Sequence, residues 1–406
     1  MSERIDVSII SSGASLADAR LHRLTGALLR AGLSVEIFAP GLKRDAPRLP
    51  DDLPNRSQPT SSLSATSLSA TALSATVPGD AGGGSFLYIR SPWFGTAWRK
   101  TNLIARYHRS RVFTLRSRGR IIYAISPESV APAFIVGRFL RRKVAVDFFE
   151  DYLRLLEDRR WAKKYFGILG WIARSDTKSA LWFAKRSDLT TVADVQVPPF
   201  EARNRLVVRN LPDLSLLTPS GERDQIPRAI YIGDLRASRG LHAMLRVAEL
   251  SPDWRFDLVG GVAAADQDFV DEWMREKNTD NRVRFLGKLP PAESWKIAAG
   301  AWVGLSLLEN TPAFVEAVPS KLYEYMSVGL ASISSPLPRC VELIARSDSG
   351  AIESTPEGVA ERLQYWREHL GELDAIRKQA SRWAAENLDS EREYANFAAE
   401  MVNLTR

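Results

Sequence analysis

The stretch Glu316-Ala-Val-Pro-Ser-Lys-Leu-Tyr-Glu324 sets two carboxylates at either end of a segment holding a proline and a lysine. Pro319 suits the start of a helix and Gly329 the residue past its end, which predicts a loop, a short helix and a stop. Glu316 then lies outside the helix and Glu324 in its second turn. The first N–H groups, of Ser320 and Lys321, face outward from the helix start, where an anion is favoured. Upstream, "YIGDLRASRGL" is a strand running into Gly233, then Arg236, Arg239 and Gly240 at a second helix start. Guanidinium forks there match the oxygens of a diphosphate held in a cleft between domains. Taken alone, the two arginines would equally suit a solvated loop.

Other chemistries lack their residues. After the first strand "SSGASLAD" offers only Gly13, so the GxGxxG fingerprint of dinucleotide binding is missing. GxxxxGK[ST] and the GxSxG elbow are missing as well. The four histidines, at 22, 108, 242 and 369, have no ligand spacing, and the single cysteine, Cys340, cannot build a zinc site, so no metal or cofactor is expected. One cysteine and no signal peptide suggest a reducing cytoplasm. No apolar run reaches the roughly 18 residues of a membrane span.

The elements that must position these residues follow from periodicity. "RIDVSIISSG" and "LADARLHRLTGALLRAGLSVEIFAPG" read as strand, helix and strand. "SFLYIR", "RGRIIYAIS", "RKVAVDFF" and "LTTVAD" add strands separated by helical stretches, the pattern of a parallel sheet wound with helices. The pattern restarts at "RAIYIGDL" and continues through "WRFDLVGG", "VRFLGKL", "WVGLSLL" and "LASISS". At 406 residues two domains are expected: an N-terminal one over 1–211, a polar linker over 212–226, a C-terminal one over 227–388, and a last helix, 389–406, packing back on the first. Within 51–85 a pentapeptide recurs as SLSAT, SLSAT and ALSAT. Its Ser/Thr bias cannot bury enough apolar area to offset ordering, which predicts a mobile insertion.

In that order and at those intervals, "YIGDLRASRGL", "VRFLGKLP" and "EAVPSKLYEYMSVGLASISS" resemble the C-terminal domain of family 4 glycosyltransferases; "DARLHRLTGALLRAGLSVEIF" and "RLVVRNLPD" extend the likeness to the N-terminal half. The resemblance implies an α/β GT-B fold: two Rossmann-like, doubly wound parallel-sheet domains facing a cleft. It implies a nucleotide-sugar donor, UDP- or GDP-linked, and retention of anomeric configuration. Glu316 would face the donor sugar and favour positive charge at the anomeric carbon. Glu324 would accept from the ribose hydroxyls. Arg239 and Lys321, with the helix start, would neutralise the departing diphosphate. Gly233, Arg236, Ser320 and Leu322 would complete the donor site. Gly13, Asp18, Arg20 and Glu150 are acceptor-side candidates, although Ser15 and Asp18 also fit a helix cap. Two positions depart from the family: Asp234 stands where an arginine is common, and Phe148 and Phe149 leave no histidine between Asp147 and Glu150.

The net charge of +7 is unevenly placed, for 81–127 holds no acid and nine Lys or Arg. Trp93, Trp98, Arg99, Lys100, Arg106 and Arg109, with Trp161, Lys163 and Lys164, interleave aromatics and cations as a monotopic membrane contact does. Core aromatics beside a solvated basic face would give the same pattern. No nucleic-acid module accompanies the charge, so no nucleic-acid partner is expected. The expected protein is a transferase of surface polysaccharide or glycolipid assembly, acting on a saccharide or lipid-linked acceptor at the inner face of the cytoplasmic membrane. An epimerase or hydrolase of the same architecture and a non-catalytic nucleotide-binding scaffold are the alternatives.

Overall fold

The computed structural model describes residues 5–12, 19–39, 72–76, 85–90, 103–157, 167–212, 214, 217–278, 280–289 and 291–406. They form two compact units, one of Met1–Asn210 with Glu391–Arg406 and one of Leu211–Ser390.

The first unit carries β1 (Val7–Ile10), α1 (Ala19–Arg30), β2 (Val35–Ala39), β3 (Ala72–Thr76), β4 (Ser85–Arg90), α2 (Leu103–Arg116) and β5 (Ile121–Ala124). There follow α3 (Pro127–Phe139), β6 (Lys143–Phe148), α4 (Tyr152–Glu157), α5 (Ile168–Ala184), β7 (Leu189–Val192) and β8 (Arg205–Val207). Its sheet runs β3-β4-β2-β1-β5-β6-β7-β8, parallel except for β3. β1, β2 and β5 are buried at every residue, as strands covered by helices on both faces must be. One face is packed by α1 through Leu21, Leu24 and Leu28. The other is packed through Phe113, Val130, Ala133, Ala180 and Ala184 of α2, α3 and α5. The third pentapeptide copy, ALSAT, is β3, an antiparallel edge strand on β4. The backbone of 72–76, within the segment expected to be a mobile insertion, is thus paired in a ladder, which joins main-chain groups. The first two copies lie outside the described residues.

The second unit carries β9 (Arg228–Ile232), α6 (Leu241–Leu250), β10 (Arg255–Val259), α7 (Gln267–Lys277), β11 (Val283–Gly287), α8 (Pro291–Ile297) and β12 (Val303–Ser306). It continues with α9 (Ser320–Val328), β13 (Ala331–Ser334), α10 (Pro338–Ser347), β14 (Gly350–Ile352), α11 (Pro356–Glu368) and α12 (Leu370–Asn387). All strands are parallel, in the order β11-β10-β9-β12-β13-β14. The chain therefore winds one way from β9 and returns to wind the other way from β12. The last helix, α13 (Ser390–Thr405), belongs to the first unit and buries Tyr394, Phe397 and Met401 against the core of α1.

Candidate active site

In an open parallel sheet, ligands bind beyond the carboxyl ends of the strands where the winding reverses, because the two flanking loops diverge there. In the second unit that point is the β9/β12 boundary. The loops leaving those strands hold both stretches singled out in the sequence.

Two glycines let the loops meet. Gly233 leaves β9 at φ +150°, and a Cβ there would stand 3.0 Å from Lys321 Nζ and 3.2 Å from Tyr231 Oη. Gly240 opens α6 at φ +83°, and its Cβ would fall 2.0 Å from the Leu307 carbonyl oxygen just past β12. Only glycine permits both the conformation and the approach. Between them Ala237–Arg239 forms a 3₁₀ turn, and Glu309 donates its N–H to the Ser238 carbonyl at 3.1 Å, tying one loop to the other. The Arg239 guanidinium carbon lies 6.0 Å from the centre of the Phe314 ring, and its Nε is buried with no hydrogen-bond partner among the described residues.

After β12 the chain turns through 312–316, leaving Glu316 exposed, and Pro319 caps α9 in extended conformation with no side-chain cap bond. The first N–H groups of α9 are thereby left for another acceptor. Leu322, Tyr325 and Met326 anchor the helix in the core, the Tyr325 hydroxyl donating to the Leu305 carbonyl at 3.0 Å. Lys321 lies on this inner side and is only 6% exposed, with Nζ 4.7 Å from the centre of the Tyr231 ring. Among the described residues no carboxylate pairs with it. Glu324 is half-buried one turn beyond Ser320. Gly233 and Lys321 are thus in direct apposition, with Arg236 and Arg239 in one loop and Glu316, Ser320 and Glu324 on the element after the neighbouring strand. Leu322 is a correction: its side chain is 1% exposed in the core and its N–H donates to the Pro319 carbonyl at 3.0 Å, so the residue supports the helix and offers a ligand nothing. Asp234, where the resemblance implied an arginine, is exposed, while its carbonyl accepts from Tyr231.

In the first unit Arg20 is corrected similarly. It is buried, donating from Nε and Nη2 to Asp147 at 2.8 and 2.7 Å and from Nη1 to the Val208 carbonyl at 2.8 Å. Burial works against its charge, and the Asp147 carboxylate more than restores it. These three contacts tie it to β6 and to the chain after β8. Glu150 is exposed past β6, whereas Gly13 and Asp18 lie outside the described residues. So do Trp93, Trp98, Arg99, Lys100, Trp161, Lys163 and Lys164. Of the remaining membrane candidates, Arg106 pairs with Glu128, and Arg109 is fully buried, which corrects its assignment to a membrane surface.

Sequence reasoning missed a polar cluster at the first unit's own reversal point, between β1 and β5. Ser12 Oγ lies 3.0 Å from Ser126 Oγ and donates to Glu128; Ser126 in turn lies 2.8 Å from Ser129. A signal existed, since "SPES" opens a helix straight after a strand. Nearby, burial lifts the Asp176 carboxyl to about 7, against the pull of Arg106. No group of three His, Cys, Asp or Glu able to hold a metal occurs among the described residues, and no described helix is long and apolar enough to cross a membrane.

Residues 218–383 match the family model "Glycosyl transferases group 1". No curated protein matches the sequence. Among solved structures, a sucrose-phosphate synthase from Thermosynechococcus elongatus is similar at TM-score 0.68 and 15% identity, over 99% of both chains. Anabaena HepE in complex with UDP is similar at TM-score 0.62 and 14% identity, over 98% of this chain and 99% of that one. An E. coli trehalose-6-phosphate structure bound with UDP-2-fluoro glucose is similar at TM-score 0.62 and 12% identity, over 99% of both chains. The fold is that of the GT-B glycosyltransferases, and the matched segment spans the loops after both β9 and β12.

Proposed function

We propose that this glycosyltransferase is a family 4 enzyme that moves a hexose from a nucleoside-diphosphate sugar, most simply a UDP-sugar, with retention of anomeric configuration. The observation that carries the reading is Lys321: a nearly buried lysine without a carboxylate partner among the described residues, set against Gly233 beside a helix start without a side-chain cap. A buried cation is stable only near compensating negative charge. The diphosphate of the donor supplies it, and Arg239 faces the same reversal point. UDP is favoured because HepE and the E. coli structure hold UDP and a UDP-sugar.

In this scheme Glu324 holds the ribose hydroxyls and Glu316 the sugar. As the glycosidic bond to phosphate lengthens, Glu316 favours charge at the anomeric carbon. Lys321, Arg239 and the α9 N–H groups stabilise the leaving diphosphate, which takes the acceptor's proton on the same face. No strong protein base is required. The acceptor side falls to the first unit, where Ser126, Glu128 and Arg106 gather at the end of β5. The acceptor is a saccharide or a lipid-linked saccharide of surface polysaccharide or glycolipid assembly, met at the cytoplasmic face of the membrane. A thermal-shift screen of UDP-, GDP- and ADP-sugars tests the donor assignment, since a ligand at 100 times its dissociation constant adds about 2.7 kcal/mol. A response to none of the three rejects it.

A further inference from the structure

We propose that the outer face of α3 and α5 in the first unit is a docking surface for an anionic lipid bilayer. The inference deepens the membrane part of the proposed function and is independent of the donor site. On α5 the expected order of side chains is inverted. Small residues, Gly170, Ala173, Thr177, Ala180 and Ala184, are buried, while Ile168, Trp171, Ile172 and Trp182 point outward. Helical spacing places those four on one stripe. Trp171 is 69% exposed and Trp182 51%. A helix serving only water would carry polar residues there.

The neighbouring helix extends the patch. Ile135 and Phe139, one turn apart on α3, are exposed, Phe139 by 85%. The helices are locked together by Phe134 against Phe183, ring centres 5.1 Å apart, and by Arg138 Nη2 donating to the Arg186 carbonyl at 3.1 Å. Beside Trp182 and Phe200 lies a surface depression of 360 Å³ rimmed by Lys178 and Lys185.

Charge selects the occupant. Segments 127–143 and 167–187 contain eight Lys or Arg against two acids, and of those acids Glu128 is buried and Asp176 half-buried. Arg138, Arg141, Arg174, Lys178 and Arg186 pair with no carboxylate among the described residues. Exposed tryptophans and a phenylalanine ringed by cations are the composition of an interfacial contact, with rings at headgroup level and basic residues on the lipid phosphates. A protein partner of the same chain would have to bury these like charges against themselves.

Flotation of the full chain with vesicles of phosphatidylcholine, alone or mixed with phosphatidylglycerol, tests the proposal. The wild type should float with the mixed vesicles and stay behind with the neutral ones. Substituting Phe139→Ser, Trp171→Ser and Trp182→Ser together should lower partitioning about 10²-fold. Neutralising Arg141, Lys178 and Arg174 to Gln should cost about fivefold each. A UDP-induced thermal shift equal to wild type in both variants shows the fold and donor site intact. If the wild type floats and the variants float equally, this surface is rejected while membrane association stands. Absence of flotation by the wild type rejects both. A dimer in sedimentation velocity that the same substitutions dissolve, without vesicle binding, assigns the face to a second copy and overturns the proposal.

Discussion

Replacing Lys321 by methionine isolates its charge from its packing. The stem keeps nearly its volume, and the thioether can take the place of the ammonium beside Tyr231, since sulfur–aromatic and cation–π contacts are of similar size, about 0.5–1 kcal/mol. With no ion pair to break among the described residues, and with the cost of burying an uncompensated ammonium removed, the unliganded variant should be at least as stable as the wild type. Ligand binding should respond differently. A hydrogen bond to a charged group contributes about 1.5–3 kcal/mol, and taking 2 raises the UDP dissociation constant roughly 30-fold. At a concentration 100 times the wild-type constant, UDP stabilises the wild type by about 2.7 kcal/mol and the variant by only about 0.9. For a unit the size of Leu211–Ser390, each kcal/mol is about 2–4 °C. The UDP-induced shift should therefore fall from about 5–11 °C to about 2–4 °C in scanning calorimetry. A variant whose UDP response equals the wild type refutes the argument, because Lys321 then faces no phosphate. A variant that unfolds far below wild type without ligand refutes it differently, by showing the ammonium to be a structural tie.

Glu316→Ala should lower kcat about 10²- to 10³-fold while leaving UDP affinity nearly unchanged, as steady-state kinetics and calorimetric titration would show; an active variant removes Glu316 from the scheme. Gly240→Ala forces a Cβ to within 2.0 Å of the Leu307 carbonyl at positive φ, and urea denaturation should show a loss of about 3 kcal/mol or more. Asp176 gives a pH signature. Burial lifts its folded carboxyl to about 7, well above the ordinary aspartate range, so the native state retains a proton that the unfolded chain releases. Stability is therefore lost as pH rises from about 4 to 7, and the full penalty applies above 7. Asp176→Asn should remove that slope and, after discounting for partial exposure, gain on the order of 2 kcal/mol at pH 8. Equal pH profiles for both proteins would place the aspartate in water.

Much of this protein is local information and legible in one dimension. The alternation of buried strands with amphipathic helices comes from side-chain period, so the winding of both units is legible in the sequence. Pro319 and Gly329 bracket α9 because their backbone preferences do not depend on distant neighbours, and Glu316, Lys321 and Glu324 inherit their placement from it. What the chain could not state by itself is which charges face inward. Arg20 and Arg109 look like surface cations in sequence, yet the first is consumed by Asp147 and the second is buried. Lys321, by contrast, is nearly buried without a carboxylate partner among the described residues. Whether an arginine is a strut or a contact depends on partners more than a hundred residues away, which no local pattern encodes. The same holds for the aromatics of α5: helical period identifies their shared stripe, but only packing of the small-residue stripe against α3 and the sheet decides that the tryptophans point outward.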